Sequence, residues 1–137
     1  LCLWQPKPHQ GAGLLNEPGA MCWNELLTRN VDSAAGFYSK LFGWKPKMQE
    51  TPVPYTTFSD GDRPVAGMMA LPKEWGDVPP HWMVYFAVAD CDAGADKTKK
   101  LGGKVLAPPM DIPKYGRFAV AQDPQGAVFS IIKLAAV

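Results

Sequence analysis

Cysteine and histidine are scarce in these 137 residues, which hold three cysteines and two histidines, His9 and His81. Cys2, Cys22 and Cys91 are scattered and odd in number. That excludes a disulfide framework and a CxxC metal knuckle, and it points to a reducing compartment, the cytoplasm. Long apolar runs are missing too: no stretch approaches the roughly 18 residues of a membrane span, and no charged-then-apolar leader opens the sequence. Charge of one sign is also lacking. The formal net charge of +1 gives no pull toward nucleic acid or a membrane surface. The densest basic cluster, Lys97, Lys99, Lys100 and Lys104, has Asp92 and Asp96 nearby and reads as a solvated helix face. There is no glycine-rich phosphate loop and no Ser-His-Asp arrangement. Neither Cys22 nor Cys91 has a His or Arg cluster beside it to activate a thiolate.

What is present suits one globular domain: 47% hydrophobic and 20% charged residues, in a chain long enough for one core but short for two. A shift of sixty positions lays the sequence on itself, with Asp32 on Asp92, Ala35 on Ala95, Lys40 on Lys100, Leu41 on Leu101 and Gly43 on Gly103. Farther on, Tyr55 falls on Tyr115, Phe58 on Phe118 and Pro64 on Pro124. The physical signals repeat in the same order.

In the first half a strand is expected over Cys22–Thr28. A helix capped by Asp32 follows, with Ala34, Phe37, Tyr38 and Leu41 on one face and Gly43 as its left-handed stop. Strands around Trp44–Gln49, Tyr55–Ser59 and Val65–Leu71 come next, punctuated by Pro52, Pro54 and Asp60-Gly61. The second half offers a strand from His81 to Val88, then a helix from Asp92 through Leu101 closed by Gly102-Gly103. Strands at Lys104–Ala107, Arg117–Ala121 and Ala127–Leu134 complete it. This is two βαβββ units joined by a proline-rich connector, Pro72 to Pro80. The halves span about 21–71 and 81–134, within a single domain covering 20–137.

Residues 1–19 stand apart. Leu1 to Gln5 has the composition of a strand end and resembles Phe129 to Lys133 of this same chain; a Pro-, Gly- and His-rich loop follows. Two readings stand here: the closing strand of a preceding module, or a disordered tail. The sequence opens on Leu1 rather than Met, as a fragment or a processed chain would.

The stretch D-x-x-x-x-FY-x-x-LFGW, Asp32 to Trp44, followed by DPQGAVFSI near the end resembles the vicinal oxygen chelate superfamily. That group includes glyoxalase I, bleomycin-resistance proteins, fosfomycin-resistance enzymes and extradiol dioxygenases. CWNELLTR, RPVAGMM, PPHWMVYF and GRFAVAQDPQG are most similar to the second module of tandem glyoxalase-like bacterial proteins. The resemblance covers Met21 to Leu134. It implies an α+β fold in which two βαβββ modules, related by a pseudo-twofold axis, form a curved eight-stranded mixed sheet. That sheet would make a cup, with the helices outside.

The resemblance also implies a divalent metal at the cup floor, held by residues of each half's opening and last strands. Carried over by residue, those positions hold Trp23, Met83 and Ser130, with Ala70 as the first-half mate of Ser130. Mg, Mn, Fe and Ni want oxygen or imidazole donors, which this set does not supply. A degenerate metal site and no cofactor are therefore expected. Alternation along the strands places Trp23, Glu25 and Leu27 toward the cup, together with His81, Met83, Tyr85, Val128 and Ser130. These are mostly apolar walls with sparse polar groups.

Glu25 is the one candidate for acid–base chemistry, since burial among apolar walls raises a carboxyl pKa. It has a structural alternative as an acceptor that locks strands together. His81 is a possible partner for it, and Arg63 and Arg117 are rim cations for an anionic ligand or plain surface residues. Three functions stay open. The first is a protein that binds a small apolar or aromatic molecule. The second is a metal-independent lyase, isomerase or hydrolase using Glu25. The third is a structural pairing module whose cup is filled by its own side chains. A homodimer is expected because strand edges need partners.

Overall fold

A computed structural model describes residues 2–49 and 53–136. Leu1 of the expected opening strand and the Pro52 breaker lie outside the described residues. The chain is α+β: β1 (Met21–Thr28), α1 (Val31–Phe42), β2 (Lys45–Gln49), β3 (Tyr55–Asp60), β4 (Arg63–Ala70), then β5 (His81–Ala87), α2 (Cys91–Lys100), β6 (Lys104–Ile112), β7 (Gly116–Gln122) and β8 (Val128–Leu134). Both expected βαβββ halves are there. No strand forms within the described part of Leu1 to Gln5, contrary to its composition, because a strand needs a hydrogen-bonding neighbour. Leu3 and Trp4 are 71% and 67% exposed.

Two compact units make up the chain: Trp23–Met83, and Leu1–Cys22 with Val84–Val137. In the first, the strands run β2-β3-β4-β1. β1 pairs with β4 in parallel, Glu25 opposite Gly67 and Leu27 opposite Met69, while β3 pairs antiparallel with both β2 and β4. One face carries Leu26, Phe58, Ala66 and Met68, packed against Val31, Ala34, Ala35 and Tyr38 of α1. Tyr38 is the hub of that core. Its ring meets those of Phe42, Trp44, Phe58 and Trp82, and its hydroxyl accepts the Trp82 indole N–H at 3.1 Å.

Two expectations for α1 need correction. The cap is Asn30, whose side chain accepts the Ser33 amide at 2.9 Å, whereas Asp32 sits in the first turn as a charge on the helix dipole. Phe37 and Leu41 are 57% and 44% exposed, so the half-buried stripe that packs keeps Ala34 and Tyr38 and runs through residues 31 and 35 instead. The stop is as expected: Gly43 adopts φ 74° and returns its amide to the Ser39 carbonyl. The connector includes a short 3-10 turn at Lys73–Trp75 and is tied down by the Arg29 guanidinium, which donates to the Gly76 and Val78 carbonyls.

In the other unit the order is β5-β8-β7-β6, with β5 and β8 parallel and Tyr85 opposite Ser130. Cys91 and Ala95 of α2 pack on Ala119 and Ile131. Here too the cap lies earlier than expected, at Asp90, which accepts the Ala93 amide at 2.9 Å. Asp123 holds the DPQG turn by accepting from the Gln125 and Ala127 amides.

The registers correct the internal alignment. Thr57 and Glu25 flank Gly67, and Val120 and Tyr85 flank Ser130. Glu25 still answers to Tyr85 at sixty positions, but the last strands answer at sixty-three. Gly67, not Ala70, is therefore the counterpart of Ser130, and Tyr55 answers to Phe118 rather than Tyr115. The cause is β6, which is nine residues long and twice irregular, against five residues in β2.

The capping assignment is directly testable. Asn30→Ala is expected to cost about 1 kcal/mol of stability in a denaturant melt, and Asp32→Ala about 0.3 kcal/mol. A larger loss at Asp32 would contradict the assignment.

Candidate functional site

The face of the first unit opposite α1 carries Trp23, Glu25 and Leu27 from β1, because alternate strand residues share a face. On its β4 side Glu25 has no side chain beside it in the sheet, since its register partner there is Gly67. Into that gap lies Tyr55 of β3, whose hydroxyl accepts the Trp23 indole N–H at 2.9 Å. A Cβ at position 67 would sit 1.7 Å from the Tyr55 hydroxyl oxygen and 2.9 Å from Trp23 Nε1. Both separations are shorter than any tolerated contact. The two aromatic side chains thus meet over a bare patch of backbone, next to a carboxylate that is only 7% exposed. Trp23 and Tyr55 themselves are half-buried.

The other expected lining residues are placed as follows. Leu27, Met83 and Tyr85 are buried, and Ser130 is fully so, its hydroxyl making no hydrogen bond. Tyr85 packs against Phe118 at 6.2 Å between ring centres, the pairing that answers to Glu25 and Tyr55 in the other half. Val128 is 42% exposed. His81 is half-buried, with Nδ1 2.8 Å from the Pro79 carbonyl oxygen; a carbonyl only accepts, so Nδ1 carries the proton. Two cavities, of about 170 and 370 Å³, are lined by other residues, among them Val31, Met48 and Ala70 in one and Lys114, Arg117 and Lys133 in the other.

Neither rim arginine is a free cation. Arg117 donates to both Asp92 oxygens at 2.7 and 2.9 Å and to Asp111 at 3.3 Å. Those bonds raise the Arg117 pKa, and the bond from Arg117 holds the Asp92 carboxyl below its usual range. Arg63 is exposed beside Asp60 at 3.8 Å. Burial pushes both the Cys22 and the Cys91 thiols up, away from thiolate reactivity. Cys22 instead donates to the Tyr85 carbonyl.

The positions that the resemblance assigns to metal ligands are Trp23, Gly67 (in place of Ala70), Met83 and Ser130. Indole cannot coordinate, glycine brings no donor, and thioether and neutral hydroxyl are poor ligands for Mg, Mn, Fe or Ni. Trp23 Nε1 also points its proton at Tyr55. These residues do not fit a metal. Among the described residues, no three His, Cys, Asp or Glu side chains gather into a cluster able to hold one.

Tyr55 and Gly67 are the site residues that sequence reasoning missed. The signal was available in the seven-residue spacing from Asp60 to Gly67, which matches that from Asp123 to Ser130. The sixty-position alignment concealed it.

Comparison with known proteins agrees with this fold. The family model of the glyoxalase/bleomycin resistance protein/dioxygenase superfamily matches residues 13–131. The chain is 48% identical over 133 residues to "Putative glyoxylase CFP32" of Mycobacterium tuberculosis, covering 96% of this chain and 50% of that protein. It is 39% identical over 137 residues to "Anthracycline biosynthesis protein DnrV" of Streptomyces peucetius, covering 96% and 48%. The chain spans about half the length of these curated relatives. The crystal structure of methylmalonyl-CoA epimerase from Mycobacterium tuberculosis is similar in fold, with a TM-score of 0.62, 13% identity, and coverage of 85% of this chain and 88% of that one. No described helix is long and apolar enough to cross a membrane. With its βαβββ halves, its DPQG turn and a family match over most of its length, the chain belongs to the glyoxalase/bleomycin resistance protein/dioxygenase superfamily.

Proposed function

We propose that this chain is a metal-free member of its superfamily that binds and sequesters a small apolar or aromatic molecule. It would work in the cytoplasm, where its three unpaired cysteines stay reduced. The observation that carries the reading is the half-buried Trp23–Tyr55 pair lying over Gly67 beside Glu25. Two flat rings supply stacking area, and one carboxylate accepts hydrogen bonds from ligand hydroxyls. Relatives named for anthracycline biosynthesis favour a fused-ring aromatic as the ligand class.

Alizarin, a planar three-ring dihydroxy quinone, tests this. Saturable quenching of tryptophan fluorescence is expected, with a Kd of about 10 μM or tighter, and it should be lost in Trp23→Ala. No saturation with the wild-type chain would overturn the reading. Glu25→Gln separates binding from chemistry. Glu25, buried beside the ring pair, is the group we assign as acid or base in the alternative reading, a metal-independent lyase, isomerase or hydrolase. Any turnover seen with wild type and absent from Glu25→Gln would move the protein into that class.

The metal-free half of the proposal has its own test. Elemental analysis of protein purified without chelator is expected to give well below one equivalent of Zn, Ni, Fe or Mn per chain. A stoichiometric metal that survives dialysis would refute it.

A homodimer completes the proposal. Leu3, Trp4, Leu14 and Leu15 are exposed in a segment without regular structure, apolar area that association would cover. Light scattering at micromolar concentration is expected to give twice the chain mass, and deletion through Gly13 to weaken it. A monomer unaffected by the deletion would argue against pairing.

A further inference from the structure

Every residue type except glycine is excluded at position 67 while Tyr55 and Trp23 keep their present places, since the first atom of any side chain would lie 1.7 Å from the Tyr55 hydroxyl oxygen and 2.5 Å from the ring carbon bearing it. The backbone there does not ask for glycine. Gly67 is absent from the positive-φ residues and sits mid-strand in β4, where a side chain would ordinarily pack better. The obstruction is the far end of Tyr55 first and, at 2.9 Å, the Trp23 indole nitrogen second. We propose that Gly67 is a specificity-determining position of this face: by carrying no side chain it lets the Tyr55 phenol lie down against Trp23, and the place Tyr55 takes decides how large a planar ring system fits beside Glu25. The proposal rests on the aromatic-binding reading above and adds to it the residue that sets ring size.

Gly67→Ala is a mild test because the clash falls on side chains, Tyr55 above all, and not on backbone. Tyr55 must lift, the Trp23 bond must break, and the displaced ring must occupy part of the ligand's space. The expected result is an alizarin affinity weakened about tenfold or more, with that of two-ring naphthol changed less than about threefold. The main effect travels through Tyr55, so in a Tyr55→Ala background the same Gly67→Ala change is expected to weaken binding by no more than about twofold, the remainder due to the 2.9 Å approach to Trp23 Nε1. Equal weakening in both backgrounds, or equal weakening for both probes, would overturn the assignment.

A readout without ligand stands beside these. The Trp23 indole N–H resonance, identified by its loss in Trp23→Phe, is expected to move upfield in Gly67→Ala as its hydrogen bond is lost. An unmoved resonance overturns the inference even if binding is confirmed. Failure of the wild-type chain to bind either probe overturns the binding reading instead, and the indole resonance then still decides whether Gly67 governs Tyr55.

Discussion

Parallel pairing of each half's opening strand with its own last strand is the constraint from which the rest of this fold follows. Parallel neighbours cannot be joined by a tight turn, so each half must spend its intervening residues on a crossover. Here that crossover is a helix and two antiparallel strands. The pairing of Glu25 with Gly67, and of Tyr85 with Ser130, fixes which side of every strand meets the helix. A one-residue slip in either would turn Leu26 or Ile131 out of its core. The remaining face is left without a helix, and it is there that Trp23, Glu25 and Tyr55 gather.

Much of this was legible in the sequence because local physics and global fold agree. The two helices among the described residues, the left-handed stop at Gly43 and the Asp123 turn are each dictated by residues within a few positions of one another, and the described strands by alternation between turn signals. The errors arose where local signals compete. Asn30 and Asp32 are both good caps, and only backbone geometry chooses the earlier one. Ala34, Phe37, Tyr38 and Leu41 have helical spacing, yet the stripe that packs is rotated toward Val31 and Ala35, leaving Phe37 exposed. The Tyr55–Tyr115 coincidence hid a three-residue drift caused by irregularities in β6, because bulges leave no mark in a position-by-position match.

The candidate site was half legible. Alternation identified Trp23 and Glu25, and the same rule nominated His81 and Val128, whose surroundings tie the first to a local carbonyl and leave the second largely in solvent. Tyr55 reaches its place from a strand two positions away in the sheet, through a gap visible only once Gly67 is known to face Glu25. No periodicity within a single segment carries that information.

Energetics decide how the Trp23–Tyr55 arrangement is to be understood. A glycine within a strand is unfavourable by roughly 0.5–1 kcal/mol relative to alanine. A hydrogen bond of the Trp23–Tyr55 kind returns about 0.5–1.5 kcal/mol net. The two are of similar size, so the bond offsets the cost of a glycine in mid-strand. An indole and a glycine stand where the superfamily places donors, so ligation does not explain the arrangement. What the arrangement does produce is a pair of half-buried aromatic side chains joined by a hydrogen bond beside a buried carboxylate. A feature whose stabilising and destabilising parts are of similar size can still govern selectivity, since specificity is a difference between ligands and contributes nothing to the free energy of the empty fold.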